Sequence, residues 1–238
     1  MSQAKKLRQI VAMGGGGFSM EPQNLLLDDY VLALTKRKNP RVCFVPTASG
    51  DSAGYIERFH TAFKNRAESS HLPLFNLGKI VPRKLLLKQH VIYVGGGNTA
   101  NMLAIWRVHG VDKILREAWR RGIILAGVSA GMICWFEAGV TDSFGPLAPL
   151  RDGLGFLPGS ACPHYDGEKN RRPSYRKFVA RGFPAGLAAD DGAAVHFIGR
   201  KLFRGMSSRP NAKVYSVRKV GTRVIETPIP TGYLGARG

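Results

Sequence analysis

Short apolar runs that end in glycine or proline alternate with longer segments of helical periodicity in the first half of this chain. The apolar runs cover residues 9–13, 41–46, 90–94 and 123–126, and the helical segments cover residues 25–36, 53–66, 99–109 and 111–121. Short apolar runs bounded by turn residues are typical of strands buried on both faces, and their alternation with helices is typical of a parallel sheet. The pattern predicts an α/β fold, a mostly parallel sheet with helices on both faces.

The pattern changes after Phe136. Residues 137–171 are rich in Gly, Pro and Asp and are interpreted as loops, and residues 173–182 are interpreted as a helix. Runs of β-forming residues at 193–198, 214–220 and 223–225 predict extra C-terminal strands, partly antiparallel, that extend the same domain. No linker separates these parts and 238 residues suit one sizeable core, so a single domain over residues 1–238 is expected.

Three glycine-rich turns follow three of the predicted strands, at residues 14–17, 95–97 and 127–131. Ligands of parallel sheets bind at the carboxyl ends of the strands, so the three turns are expected to converge on one site. Neither of the first two turns matches the G-x-x-x-x-G-K-[ST] pattern that cradles phosphate, and the first lacks the spacing of a dinucleotide fingerprint. A phosphate cradle or a simple tight turn stays the alternative to a catalytic role for these glycines.

The third turn, Gly-Val-Ser-Ala-Gly, places Ser129 between an apolar run and a second apolar stretch. A strand, a sharp turn and a helix in this order form a nucleophile elbow, which exposes the serine hydroxyl at the edge of a sheet. The backbone amide of Ala130 is one candidate donor to an oxyanion, and the turn at 95–97 is the natural source of a second. An ordinary glycine-rich turn is the alternative to a nucleophile.

A nucleophilic serine needs a histidine as base and a carboxylate that orients the histidine. His164 is the preferred base because it lies in a loop after an apolar run and follows the rigid Pro163. His196 lies inside a predicted strand, where packing is the simpler role, and four others are expected at surface or boundary positions: His60, His71, His90 and His109.

The spacing of residues in the sequence does not decide which carboxylate orients the histidine. The Asp190-Asp191-Gly192 turn serves equally well as a catalytic acid or as an ordinary turn between strands. An α/β-hydrolase esterase, whose triad runs Ser, acid, His, is a rival that would pair Asp142 or Asp166 with His196. The acidic candidates are Asp142, Asp152, Asp166, Glu168, Asp190 and Asp191.

Composition narrows the classes of protein. The formal net charge is +19, but the basic residues are dispersed in small clusters and no zinc-finger or RNP-like motif accompanies them. Specific nucleic-acid binding is therefore not expected, although a non-catalytic protein that binds polyanions on the same fold stays open. Three cysteines without paired spacing and no long apolar run predict a cytoplasmic protein without signal peptide or membrane span.

The motifs together resemble one known family. Gly-Gly-Gly-Asn-Thr at 95–99, Gly-Val-Ser-Ala-Gly at 127–131 and Pro-His-Tyr at 163–165 are similar to the serine peptidases of the dipeptidase E family, which includes cyanophycinases. The resemblance covers residues 11–198 in order. It implies a flavodoxin-like sheet similar to that of class I glutamine amidotransferases.

The resemblance also implies a role for each site residue. Ser129 matches the nucleophile and His164 the general base, while Gly97 and Ala130 match the oxyanion donors. The family's acid is typically a glutamate in a turn after the next strand, which places the acid at Asp191, with Asp190 as the alternative. Asp142 matches an aspartate that supports the site.

The implied activity is hydrolysis of short peptides through an acyl-enzyme, by a Ser-His-Asp triad without metal or cofactor. The expected partner is a small peptide substrate, and the protein is expected to be a monomer or homodimer away from membranes. Arg171, Arg172 and Arg176 follow His164 and either bind a substrate carboxylate or form a solvated helix face.

Overall fold

Two sheets and the helices around them make up the computed structural model, which describes residues 7–235. The ends of the predicted domain, residues 1–6 and 236–238, lie outside the described residues. The strands are β1 (Gln9–Met13), β2 (Arg41–Val45), β3 (Glu68–His71), β4 (Val91–Val94), β5 (Ile124–Val128), β6 (Phe136–Thr141), β7 (Ala148–Leu150), β8 (Leu157–Cys162), β9 (Gly186–Ala189), β10 (Ala193–Ile198), β11 (Lys201–Ser207), β12 (Val214–Val220), β13 (Arg223–Ile229) and β14 (Thr231–Tyr233). The helices are α1 (Gly17–Met20), α2 (Leu26–Ala33), α3 (Ala53–Phe63), α4 (Pro82–Leu86), α5 (Thr99–His109), α6 (Val111–Arg120), α7 (Ala130–Ile133) and α8 (Arg171–Ala180), with a 3-10 turn at Thr47–Ser49.

The larger sheet has eight strands in the order β14-β11-β10-β1-β5-β4-β2-β3. The five strands from β1 to β3 in this order are parallel, and β10 joins β1 in antiparallel register. Successive residues of a strand point to opposite faces. Ile10 and Ala12 accordingly lie in one buried apolar cluster, while Val11 and Met13 lie in another.

Helices cover both faces of this parallel region, as the sequence pattern predicts. Leu27 of α2 and Phe59 of α3 pack in the cluster that contains Val11 and Met13. Trp106 of α5 and residues of α6 pack in the opposite cluster. Because neither face of the four inner strands β1, β5, β4 and β2 meets water, these strands consist mostly of apolar residues, whereas the edge strand β3 is polar and partly exposed.

The smaller sheet has six strands in the order β13-β12-β9-β8-β6-β7, and it corrects the prediction that residues 137–171 are loops. Three strands, β6, β7 and β8, occupy that segment. In sequence, the apolar pattern of these strands is interrupted by Glu137, by Pro149 on the edge strand, and by Pro158 and Gly159 in β8. In the structure, the pairing of β6 with β8 also shifts in register. Pairing between strands distant in sequence stabilises them, which local pattern does not reveal.

The predicted elements elsewhere are present, with shifted ends. The strand predicted at 123–126 extends over Ile124–Val128, and the helix predicted at 173–182 extends over Arg171–Ala180. The helix after Ser129 ends at Ile133, and the apolar residues that follow lead into β6 instead.

The carboxyl ends of β1, β4 and β5 lie at the same edge of the larger sheet, since these strands are parallel. Their glycine turns lie together there, as expected. The turn from β9 to β10 connects the two sheets at this edge. No helix between residues 7 and 235 is long and apolar enough to cross a membrane.

Candidate active site

Ser129 occupies a sharp turn between β5 and α7. Its φ is 57° and its ψ is −110°, a strained backbone conformation for a residue with a side chain, and such strain is concentrated at functional sites. The flanking glycines are required by close approach: a methyl group at Gly127 would overlap the carbonyl of Gly131, and one at Gly131 would overlap the carbonyl of Val94. The two glycines of the motif therefore allow the turn that exposes the serine.

His164 lies in the loop that follows β8 and also has a positive φ, 52°. Its backbone amide donates to the carbonyl of Gly14 at 3.2 Å, which fixes the loop against the first glycine turn. The imidazole Nε2 lies 2.8 Å from Ser129 Oγ, and Nδ1 lies 2.6 Å from Asp191 Oδ1. The structure thus brings together Ser129, His164 and Asp191 in one hydrogen-bonded line.

Asp191 lies in the turn between β9 and β10, with 11% of its side chain exposed. Its backbone amide donates to Asp166 Oδ1 at 2.8 Å. Gly15 and Gly167 enclose its carboxylate, because a methyl group at either glycine would overlap one of the two carboxylate oxygens. The close approach of these two glycine backbones lets an aspartate reach the histidine.

The other two predicted acids lie outside this line. The Asp190 carboxylate accepts a hydrogen bond from the Lys213 amide at 2.9 Å, and burial raises its pKa to about 6. Asp142 is 60% exposed and its carboxylate lies 3.8 Å from the guanidinium of Arg171. Neither carboxylate is hydrogen-bonded to His164 in the part of the chain that the structure describes.

The two predicted oxyanion donors flank the nucleophile. A methyl group at Gly96 would lie 3.2 Å from Ser129 Cβ, so the second glycine turn packs directly against the serine. Within residues 7–235, the amide of Gly97 donates to no protein acceptor. Ala130 is the first residue of α7, a position whose amide has no acceptor within the helix.

His196 lies elsewhere, inside β10. Its Nδ1 is hydrogen-bonded to the hydroxyl of Tyr30 at 2.8 Å, and burial lowers its pKa to about 4. Ser129 is hydrogen-bonded to His164 instead, so the order Ser, acid, His of the esterase rival is not the one that this fold assembles. The remaining histidines are half-buried or exposed, as expected: His60, His71, His90 and His109.

The three arginines after His164 are engaged by carboxylates of the chain. The Nε of Arg171 lies 2.6 Å from Glu168, and only 4% of the arginine side chain is exposed. Arg172 and Arg176 both form ion pairs with Glu226.

The cysteines and potential metal ligands add no second reactive centre. Cys43, Cys134 and Cys162 are free and buried. Burial raises the pKa of Cys43 and of Cys162 to about 12, so neither is a thiolate near neutral pH. Among residues 7–235 no group of three or more His, Cys, Asp or Glu side chains has a metal-binding arrangement.

Several contributors to the site were not identified from sequence. The sequence indicates Asp166 only as a candidate acid, whereas in the structure it accepts the amide of Asp191. The packing of Gly167 against the Asp191 carboxylate joins segments distant in the chain, which sequence spacing does not indicate. For Gly15, the one indication in the sequence is its position in a run of four glycines.

A buried edge of an α/β sheet with a strained serine, a histidine and an aspartate in hydrogen-bonded order is typical of a serine hydrolase. The sequence model of peptidase family S51 matches residues 10–204. The chain belongs to this family and is a serine-type peptidase, which confirms the resemblance to dipeptidase E.

Known relatives agree with this assignment. The chain is 55% identical over 231 residues to the uncharacterized peptidase YgaJ of Bacillus subtilis strain 168, covering 96% of this chain and 100% of the relative. Two solved structures share the fold at low identity. A peptidase from an acI-B1 actinobacterium has a TM-score of 0.69 at 17% identity, over 94% of this chain and 96% of that one. A putative peptidase E protein of Listeria monocytogenes EGD-e has a TM-score of 0.59 at 20% identity, over 83% and 97%.

Proposed function

We propose that this peptidase hydrolyses short peptides through an acyl-enzyme on Ser129, with His164 as general base and Asp191 as the acid that orients it. The observation that carries the proposal is the hydrogen-bonded line from Ser129 Oγ to His164 Nε2, 2.8 Å, and from His164 Nδ1 to Asp191 Oδ1, 2.6 Å. These distances suit proton transfer between the serine and the imidazole.

The steps follow from this geometry. With Nδ1–H donated to Asp191, Nε2 of His164 is free to accept the proton of Ser129 as Oγ bonds to the scissile carbonyl carbon. The C–N bond then breaks and the proton passes from Nε2 to the leaving amine. Water then bonds to the acyl carbon as Nε2 takes its proton, and that proton passes to Ser129 Oγ as the C–Oγ bond breaks and the acid product leaves. Each bond that forms is matched by one that breaks, and the proton ends on Ser129 Oγ, so the proposed cycle requires neither metal nor cofactor.

The developing alkoxide requires backbone donors. We assign this role to the amides of Gly97 and Ala130, which lie on the two turns beside Ser129. Asp142 is given a supporting role through Arg171, since its exposed carboxylate faces that guanidinium.

The substrate is proposed to be a small peptide without a required acidic residue at the scissile bond. Asp-X specificity needs a cation available to the substrate, and the arginines that follow His164 pair with Glu168 and Glu226. Peptides with a neutral residue at that position are therefore expected to be cleaved at least as well as Asp-X.

The finer features of the fold and the cellular setting are proposed on separate grounds. A flavodoxin-like sheet is supported by the order of the parallel strands: when β2, β3, β4, β5 and β1 are numbered 1 to 5, their order in the sheet is 2-1-3-4-5. The chain is proposed to be one domain over residues 1–238. Three unpaired cysteines favour a cytoplasmic location. The dispersed basic residues argue against specific nucleic-acid binding, and the protein is proposed to be a monomer or homodimer on the family resemblance alone.

The test is hydrolysis of a panel of dipeptides and tripeptides, including Asp-X, β-Asp-X, neutral and blocked forms. Ser129→Ala is expected to lower kcat by about 10⁶, as for loss of a triad serine. The control is Ser216→Ala, a serine of β12, which is expected to keep full activity. If Ser129→Ala retained the activity of the unmodified enzyme, the proposal would be wrong.

A further inference from the structure

The glycine turn at 95–97 has three backbone amides, which differ in their hydrogen-bond partners. The Gly95 amide donates to the carbonyl of Val45 at 3.2 Å, and the Gly96 amide donates to the hydroxyl of Tyr55 at 3.2 Å. Of the three amides in this turn, only that of Gly97 has no protein acceptor among the described residues. Three successive glycines have wide conformational freedom, so the direction of this one amide depends on the tethers around it.

Backbone contacts hold the two ends of the turn. Besides the bond from Gly95 to β2, the Asn98 amide donates to the carbonyl of Ala48 at 2.8 Å. Gly97 has a φ of 132° and packs on the same carbonyl so closely that a side chain would overlap it. The middle of the turn, Gly96, has only one hydrogen bond from its amide, and that bond ends on a side chain.

Tyr55 is held in a fixed position. It is 6% exposed, and its ring packs edge-on against Phe44 at a centroid distance of 5.0 Å and, tilted by 35°, against Phe18 at 5.6 Å. Its hydroxyl lies 2.5 Å from Ser19 Oγ. A phenol has one proton and two acceptor positions, so it can bond to Ser19 and still accept the Gly96 amide.

We infer that Tyr55 is a positioning residue for the oxyanion site: its hydroxyl, supported by Ser19, fixes Gly96 and thereby aims the Gly97 amide at the position beside Ser129 Oγ. The inference rests on the proposed function, because it assigns a purpose to the Gly97 amide in acyl transfer. Burial raises the pKa of Tyr55, which keeps the hydroxyl neutral. The contact matters in the transition state, where the oxyanion forms, more than in substrate binding.

The test is Tyr55→Phe, which removes the hydroxyl and keeps the ring. We expect kcat to fall by about tenfold to 10²-fold with KM within a small factor of the original, since outright loss of an oxyanion donor costs about 10²–10³-fold. A dipeptide boronic acid, which forms a tetrahedral adduct with the serine, is expected to lose affinity in parallel with kcat/KM.

The matched control is Tyr175→Phe. Tyr175 of α8 is buried and its hydroxyl lies 2.7 Å from Ser160 Oγ of β8, so the control removes a similar buried bond between a helix and the smaller sheet. It is expected to lower stability without lowering kcat. An equal loss of kcat in both variants, or a Tyr55→Phe enzyme with unchanged kcat and boronate affinity, would overturn the inference.

Ser19→Ala covers the case in which Tyr55→Phe folds poorly, because it leaves the ring and its hydroxyl in place. The expected result is a smaller loss of kcat with KM unchanged; a change confined to KM would contradict the inference. Ser129→Ala, measured in parallel, separates the two proposals. If it is inactive while the Tyr55 and Ser19 variants are fully active, only the present inference is wrong.

Discussion

The two sheets contribute to the site in different ways. Three parallel strands of the larger sheet, β1, β4 and β5, are almost wholly buried and end in glycine turns, and one of these turns carries Ser129. The smaller sheet has partly exposed strands such as β13, and it supplies His164 from the loop after β8. Asp191 lies in the connection between them. The proposed triad therefore bridges the sheets, so changes at the junction are expected to affect activity more than changes within either sheet.

After Ser129→Ala, the largest effect is expected from Asp191→Asn, which alters the connection between the sheets. An asparagine does not hold the imidazole in the tautomer that leaves Nε2 as an acceptor, and the loss in kcat is expected to be about 10⁴-fold. Steady-state kinetics on the best peptide of the panel measures it.

The comparison variant is Asp190→Asn, the neighbouring acid. Its carboxylate is bonded to the Lys213 amide, so its loss is expected to reduce kcat far less. A larger loss in Asp190→Asn than in Asp191→Asn would show that the wrong acid has been assigned.

A smaller effect is expected from Gly167→Ala, on the His164 side of the junction. The new methyl group would overlap a carboxylate oxygen of Asp191 and displace it from the histidine. A displacement of about 1 Å costs about 10²-fold in rate, so a kcat loss of this size is expected. Gly54→Ala is the control, since that helical glycine has open space around its Cα; equal activities of the two variants would argue against a tightly enclosed acid.

The same difference between the sheets explains what could be predicted from sequence. The strands β4 and β5, Val-Ile-Tyr-Val and Ile-Leu-Ala-Gly-Val, are buried throughout and stand out as apolar runs. The strands β6 and β8 contain Glu137, Pro158 and Gly159, and they form because they pair with each other, so a local pattern cannot reveal them.

The site divides in the same way. Motif and loop context mark Ser129 and His164 as candidates in the sequence, and the family resemblance favours Asp191 over Asp190, whereas the hydrogen bond between Asp191 and His164 is visible only in the folded turn. The contact from Tyr55 to Gly96 joins residues 41 positions apart. Such contacts depend on how the helices pack on the sheet, so they cannot be predicted from the spacing of residues in the sequence.

The smallest effect on activity is expected from a change confined to the larger sheet, Asp28→Asn. Burial raises the pKa of Asp28 to about 7, although the Phe18 amide and the Tyr93 hydroxyl donate to it. The folded protein therefore holds a proton that the unfolded chain releases near pH 4. Stability from this group is full below about pH 4 and is lost as pH rises through about 7, by up to about 4 kcal/mol.

Chemical denaturation of both proteins between pH 4 and pH 8 measures this. The difference in unfolding free energy between the original protein and Asp28→Asn is expected to fall with rising pH and to level off above pH 7. Asp29, an exposed neighbour, is paired with Arg66. Asp29→Asn is therefore expected to keep the fall in unfolding free energy with rising pH that the original protein shows. A difference that does not change with pH would contradict the assignment of the buried proton to Asp28.

The central claim is that Ser129 is a nucleophile activated across the junction of the sheets. Labelling with a fluorophosphonate, followed by peptide mapping by mass spectrometry, tests it most directly. The account predicts one adduct, on Ser129, that forms in the original enzyme and only very slowly in His164→Ala. Adduct formation on another residue, or an equal rate of labelling in His164→Ala, would contradict it.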